Sequence, residues 1–94
     1  MHKDHNIFIQ AIKDKKKVLV QHGLGNSTHT EVYRPLFYIP ANNHTGCAHY
    51  YFWDYKKNQK GNLFKITAKE IMRIGQTHES FEANDWSLVK ENGL

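Results

Sequence analysis

Arg34 and Arg73 are the only arginines in this 94-residue chain, and each is flanked by apolar residues of strand character. A guanidinium is a planar fork of donors suited to phosphate or carboxylate. Lys65 is a third cation set inside an apolar run. Converging on one face, these three make an anion site; otherwise each reaches outward separately or pairs across a strand with Glu31, Asp54 or Glu70. Between them, residues 49–55 hold five aromatic side chains in seven positions. Strand alternation puts Tyr51, Trp53 and Tyr55 on one face and Tyr50, Phe52 and Asp54 on the other. One face fills the interior; the other, if it looks outward, offers rings on which bases can stack. The candidate ligand-binding set is therefore Arg34, Tyr51, Trp53, Lys65 and Arg73. Lys56, Lys57 and Lys60 in the neighbouring polar connection add long-range attraction to an anion, or are simply a solvated turn.

Two other chemistries have weaker sequence support. His44, Cys47 and His49 fall within six residues, but a structural zinc site takes four ligands at characteristic spacing and the fourth is missing, so no metal is expected. Cys47 with His44 or His49 would be a thiolate pair only if the fold brought them together. The segment Gly23-Leu24-Gly25-Asn26-Ser27 lacks the lysine and the following helix of a phosphate-binding loop. No catalytic arrangement and no cofactor is expected, and His2 and His5 are taken as too close to the terminus to join a site.

Composition agrees with a binding module. Thirteen basic against nine acidic side chains give a net charge of +4, a mildly basic balance compatible with an anionic partner. A mean hydropathy of −0.71 and the lack of any apolar run near ~18 residues exclude a membrane-spanning helix, and the charged start carries no leader-like apolar core. A cytoplasmic protein is expected. One cysteine allows no internal disulfide, so stability rests on the core, and a domain this small has little apolar material to spare for a deep cavity.

The elements that position these residues follow from periodicity. Phe8, Ala11 and Ile12 recur at helical spacing over 6–16, with Asp4 ahead as N-cap and Lys13, Lys15, Lys16 and Lys17 near the end that favours cations. Strands are expected at 18–22, 31–39, 49–55 and 63–67, with a single helical turn at the capping-box-like Thr67-Ala68-Lys69-Glu70 leading into a fifth strand. Pro35 requires an edge, a bulge or a sharp bend in the second strand. Phe81, Trp86, Leu88 and Val89 dock a short C-terminal tail or helix. The expected core is Ile12, Val18, Val20, Leu36, Phe52, Phe64, Ile66 and Ile74. One domain over 1–94 results: helix 6–16, barrel 17–78, docking tail 79–94. Its class is mainly β, a small five-stranded SH3-like or Sm-like antiparallel barrel with the helix across its mouth.

This succession resembles the WYL domain, a small Sm/SH3-like barrel of bacterial and phage regulators. The likeness spans residues 7–86. Residues 11–20 resemble that family's helix and basic lead into the first strand, and Arg34-Pro35-Leu36 resembles its second strand. Tyr50-Tyr51-Phe52 with Trp53-Asp54-Tyr55 is similar to the name-giving segment, Phe64-Lys65-Ile66 and Ile71 to the strand after it, and Phe81 to the closing phenylalanine. Tyr50 and Phe52 replace the tryptophan and leucine of the name, and an Asp-Arg pair of the family is absent at 67–70. The resemblance implies a regulatory, ligand-sensing module, often for nucleic acid or nucleotides, here without the DNA-reading domain that usually precedes it. The rival expectation is a protein-interaction or self-association module that uses the aromatic strand or a barrel edge.

Overall fold

Pro35 shapes the molecule. In the structure, a computed structural model that describes residues 2–24, 26–42, 46–56 and 62–82, helix α1 (His5–Asp14) precedes five strands. These are β1 (Lys16–Leu24), β2 (Ser27–Ile39), β3 (His49–Trp53), β4 (Leu63–Thr67) and β5 (Ile71–Ser80), with a 3-10 turn (Ala68–Glu70) between β4 and β5. They form one antiparallel sheet in the order β4-β3-β2-β1-β5. Its 13-residue strand β2 serves both halves: residues as far as Tyr33 pair with β1, and from Arg34 onward the partner is β3. The register slips between Pro35 and Phe37, a bulge where the missing proline N–H would otherwise leave a gap in the ladder. Pro35 is thus interior to the sheet. No ladder joins β4 to β5 among the described residues, so the sheet is open in its pairing.

The helix forms as its spacing requires. Phe8 and Ala11 are completely buried, Ile12 is half-buried, and the helix packs on β5, β1 and β2. It stops two residues short of the expected end because Lys15 turns into the left-handed region at φ 56°, its N–H closing on the carbonyls of Ala11 and Ile12. Lys16 and Lys17 therefore start β1 instead of ending the helix. Asp4 sits at the N-cap position, but its side chain does not cap. Its Oδ2 instead accepts the Ile74 N–H at 2.9 Å, tying the helix start to β5.

The core lies between α1 and the inner face of the sheet. Phe8 meets Tyr50 and Phe52 edge-on at 4.9 and 5.4 Å, and Val18, Val20, Tyr33, Ile66, Ile71 and Ile74 complete it. Of the expected core, Val18, Val20, Phe52, Ile66 and Ile74 are buried there, whereas Ile12 and Phe64 lie at its margin. Leu36 is buried in a separate cluster with Trp53, flanked by Tyr51 and Leu63. The strand expected at 63–67 and the turn after it are found as read, while β1 and β2 extend further, pairing as far as Leu24 and Ser27, with Gly23 opposite Thr28. At φ 144°, a side chain on Gly23 would run into the Ser27 carbonyl. The tail residues Trp86, Leu88 and Val89 lie outside the described residues; Phe81 is buried and donates its N–H to the Lys15 carbonyl. Among the described residues no helix is long and apolar enough to cross a membrane.

A buried polar pair lies within this core. His22 Nε2 is 2.9 Å from the Tyr33 hydroxyl, and the imidazole packs near Phe64. Burial, with His29 nearby, pushes His22 below the usual histidine range; burial, with Asp54 and Glu31, pushes the Tyr33 hydroxyl up to about 12. Because the unfolded chain takes up the proton first, His22 contributes stability that is complete above about pH 6.5 and is lost as pH falls towards the lower folded value. Urea unfolding between neutral and mildly acidic pH is expected to show this loss. His22→Gln should reduce the slope of stability against pH; an unchanged slope would remove His22 as its source.

Candidate functional site on the outer face of the sheet

Cross-strand register sets out the outer face row by row. On the β2-β3-β4 half, Phe37, Tyr51 and Lys65 stand opposite one another in turn, and Ile39, His49 and Thr67 form the next row. The Phe37 and Tyr51 rings are stacked, with centroids 4.5 Å apart and planes within 18°. Phe37 is 39% exposed and Tyr51 half-buried, so the pair presents an aromatic surface, with Tyr51 steadied by the Leu36–Trp53 cluster beside it. Lys65, exposed at the centre of β4, ends the row with a cation.

On the β2-β1-β5 half, one row is Thr30, Gln21, Arg73 and the next is Val32, Leu19, Gly75. Leu19 stands 43% exposed because Val18 and Val20 take the inner side. Nearby, the Lys17 ammonium lies 4.4 Å over the Tyr55 ring, and Lys56 pairs with Glu31 at 2.8 Å, which raises the lysine above its ordinary range. Arg73 keeps a mostly exposed side chain with its Nε 3.7 Å from Asp4 Oδ2.

The five expected binding residues do not converge. Lys65 and Arg73 occupy opposite edge strands of the sheet order. Arg34 is not an outward donor: it is 7% exposed, lies 4.1 Å over the Phe81 ring and donates to the Pro35 carbonyl at 3.2 Å. An arginine beside a buried phenylalanine gains more from the ring face and backbone than from solvent. Trp53 is likewise no platform, being 6% exposed against Leu36. Only Tyr51 of the two expected ring donors reaches the surface, joined by Phe37, which unbroken alternation along β2 would put on the same side as Tyr33. The bulge resets the phase, so Tyr33 and Tyr38 both pack against the core and Phe37 turns out. Of the hairpin lysines Lys56 is described and bound to Glu31, while Lys57 and Lys60 lie outside the described residues.

Two histidines set aside for their position are anchored. His2 Nε2 donates to the Ile71 carbonyl at 2.7 Å and its Nδ1 accepts the Asp4 N–H at 2.9 Å, a pattern that requires the Nε2–H tautomer. The fully buried Tyr50 hydroxyl accepts the His2 N–H and lies 2.9 Å from His5 Nδ1, and burial pushes His5 below the usual range. This cluster covers the start of the β5 edge, where the Ile71 carbonyl and the Ile74 N–H are both bound by side chains of the N-terminal segment. Such cover blocks edge-to-edge pairing there. Cys47 Sγ lies 3.9 Å from His49 Nε2, and no three His, Cys, Asp or Glu side chains gather into a metal-binding group among the described residues. Set against known proteins, the chain matches no family model, no characterised protein and no solved structure, so the outer face itself carries the functional reading.

Proposed function

We propose that the chain is a non-catalytic binding module, a WYL-like relative of the small SH3-like and Sm-like barrels, that recognises single-stranded nucleic acid through the outer face of its sheet. The observation that carries this reading is the row Phe37–Tyr51–Lys65: two stacked, accessible rings next to a strand-held cation. A nucleobase adds to such a ring pair by its π-face, and the ammonium meets the phosphate beside it. The barrel assignment draws on a strand shared between two half-sheets and a 3-10 turn that carries the chain from one edge strand to the other. The anionic ligand is favoured by the surroundings, since Lys17, Lys56, Lys65 and Arg73 border this face against two acids, Glu31 bound by Lys56 and Asp4 beside Arg73.

Self-association through the exposed Leu19, Phe37 and Ile39 side chains is the competing reading. Fluorescence anisotropy of a short labelled oligodeoxythymidylate, with sedimentation of the protein alone, separates the two. Saturable binding by a monomer is expected. A protein that dimerises and ignores the oligonucleotide at low salt would overturn the proposal.

A further inference from the structure

The rows on the β2-β1-β5 half enclose two shallow grooves. One, of about 320 Å³, is lined by Lys17, Leu19, Thr30, Val32, Tyr55 and Lys56, together with Glu31. The other, of about 200 Å³, lies across Leu19 between Thr30 and Arg73, with Gln21 and Gly75. Leu19 and Thr30 border both, so the two grooves adjoin as a shallow channel across β1, apolar along Leu19 and Val32, with Lys17 and the Lys56–Glu31 pair at one end and Arg73, beside Asp4, at the other. The space in the second groove exists because Gly75 stands opposite Leu19 where any other residue would project a side chain.

We infer that this channel holds the phosphate backbone of the strand whose bases stack on Phe37 and Tyr51, which makes the nucleic-acid site bipartite. The inference rests on the reading given above and adds a second contact region to it. Lys17 and Gln21, the cross-strand neighbour of Arg73, are four residues apart on β1, so the cationic ends are separated by about 13 Å at ordinary strand rise. That separation suits a polymer carrying repeated charges and exceeds what one inorganic phosphate can bridge. Arg73 supplies a guanidinium, whose fork binds phosphate oxygens in pairs, and Asp4 at 3.7 Å restrains its Nε side. Lys17 is restrained in its turn by the Tyr55 ring. Thr30 and Gln21 add neutral donors between them.

Gly75 provides a selective test. A Cβ built there meets nothing within 4 Å, and its backbone is outside the left-handed region. Gly75→Val therefore fills the channel without disturbing the core, and a β-branched residue suits a strand. Thermal unfolding checks that the variant folds; Gly75→Ala and Arg73→Ala decide the matter if it does not. In the oligodeoxythymidylate titration, Gly75→Val is expected to weaken binding about tenfold. Arg73→Ala should weaken it similarly and reduce the salt slope by about one. Lys13→Ala, on the exposed side of the helix, should match the wild type. If the wild type binds and the Gly75 and Arg73 variants bind equally well, the channel is not part of the site, while the ring-pair reading stands. If Lys13→Ala is weakened as much as Arg73→Ala, the attraction is diffuse and the channel assignment falls. If the wild type does not bind at all, the reading on which the inference rests fails with it.

Discussion

Phe52→Ala is expected to destabilise the protein by ~3–5 kcal/mol, the usual cost of emptying a fully buried phenylalanine site. Phe52 has no exposed surface and sits where the helix meets the sheet: its ring contacts Phe8 and Tyr33, both at 5.4 Å, and its strand neighbours are Pro35 and Phe64. Tyr50 and Val18, also fully buried, belong to the same cluster, so few atoms nearby are free to relax into the cavity. For a protein of this size the loss would be a large part of a total that is itself on the order of 5–15 kcal/mol. Phe64→Ala should cost clearly less, because Phe64 lies half-buried at the core's margin beside His22 and Tyr33. Urea midpoints at constant m-value measure both. A smaller loss at Phe52 than at Phe64 would contradict the assignment of β3's Tyr50–Phe52 face to the core.

The second large effect concerns the ring pair. Removing both rings, with Phe37→Ala and Tyr51→Ala together, should abolish measurable binding of an oligonucleotide, since each stacked base contributes ~1–3 kcal/mol. Each single variant should lose about tenfold or more. Tyr51→Phe should bind nearly as the wild type, because the π-face rather than the hydroxyl makes the contact. Phe37 is 39% exposed but stacks on the Tyr51 ring, so Phe37→Ala should cost ~1 kcal/mol of stability in addition to its loss of binding. Tyr51 is half-buried beside Leu36 and Trp53, so its alanine variant will show some loss of stability, and the melting curve must be recorded with the binding curve. Lys65→Ala should act differently from the rings, weakening binding to all sequences alike and lowering the salt slope.

Much of the architecture was legible because it follows from local chemistry. Helical spacing of Phe8, Ala11 and Ile12 marked α1; period-two burial at Val18 and Val20, and the aromatic run at 49–55, marked the strands; Thr67 to Glu70 marked the turn. Pro35 announced an irregularity, and a bulge is what β2 contains. The direction of Phe37 was not legible for the same reason: alternation counts along a regular strand, and one inserted residue turns Phe37 outward. The cations were harder. Strandedness showed that Arg34, Lys65 and Arg73 would be held firmly, but only pairing order reveals that Lys65 and Arg73 take opposite edges and that Arg34 lies over Phe81. The β5 channel depends on Leu19 facing Gly75 across two strands distant in sequence, a juxtaposition with no local signal. His2 and Asp4 were likewise unreadable as partners of Ile71 and Ile74, about seventy residues away.

The most direct test of the central claim is the affinity of the wild-type protein for a short fluorescent oligodeoxythymidylate at about 50 mM and about 200 mM salt, the range over which phosphate contacts are strongly screened. Binding that is saturable at the lower salt and several-fold to a hundredfold weaker at the higher is predicted, as a site with few phosphate contacts and a stacking surface requires. No binding at the lower salt, or an affinity indifferent to salt, would contradict it.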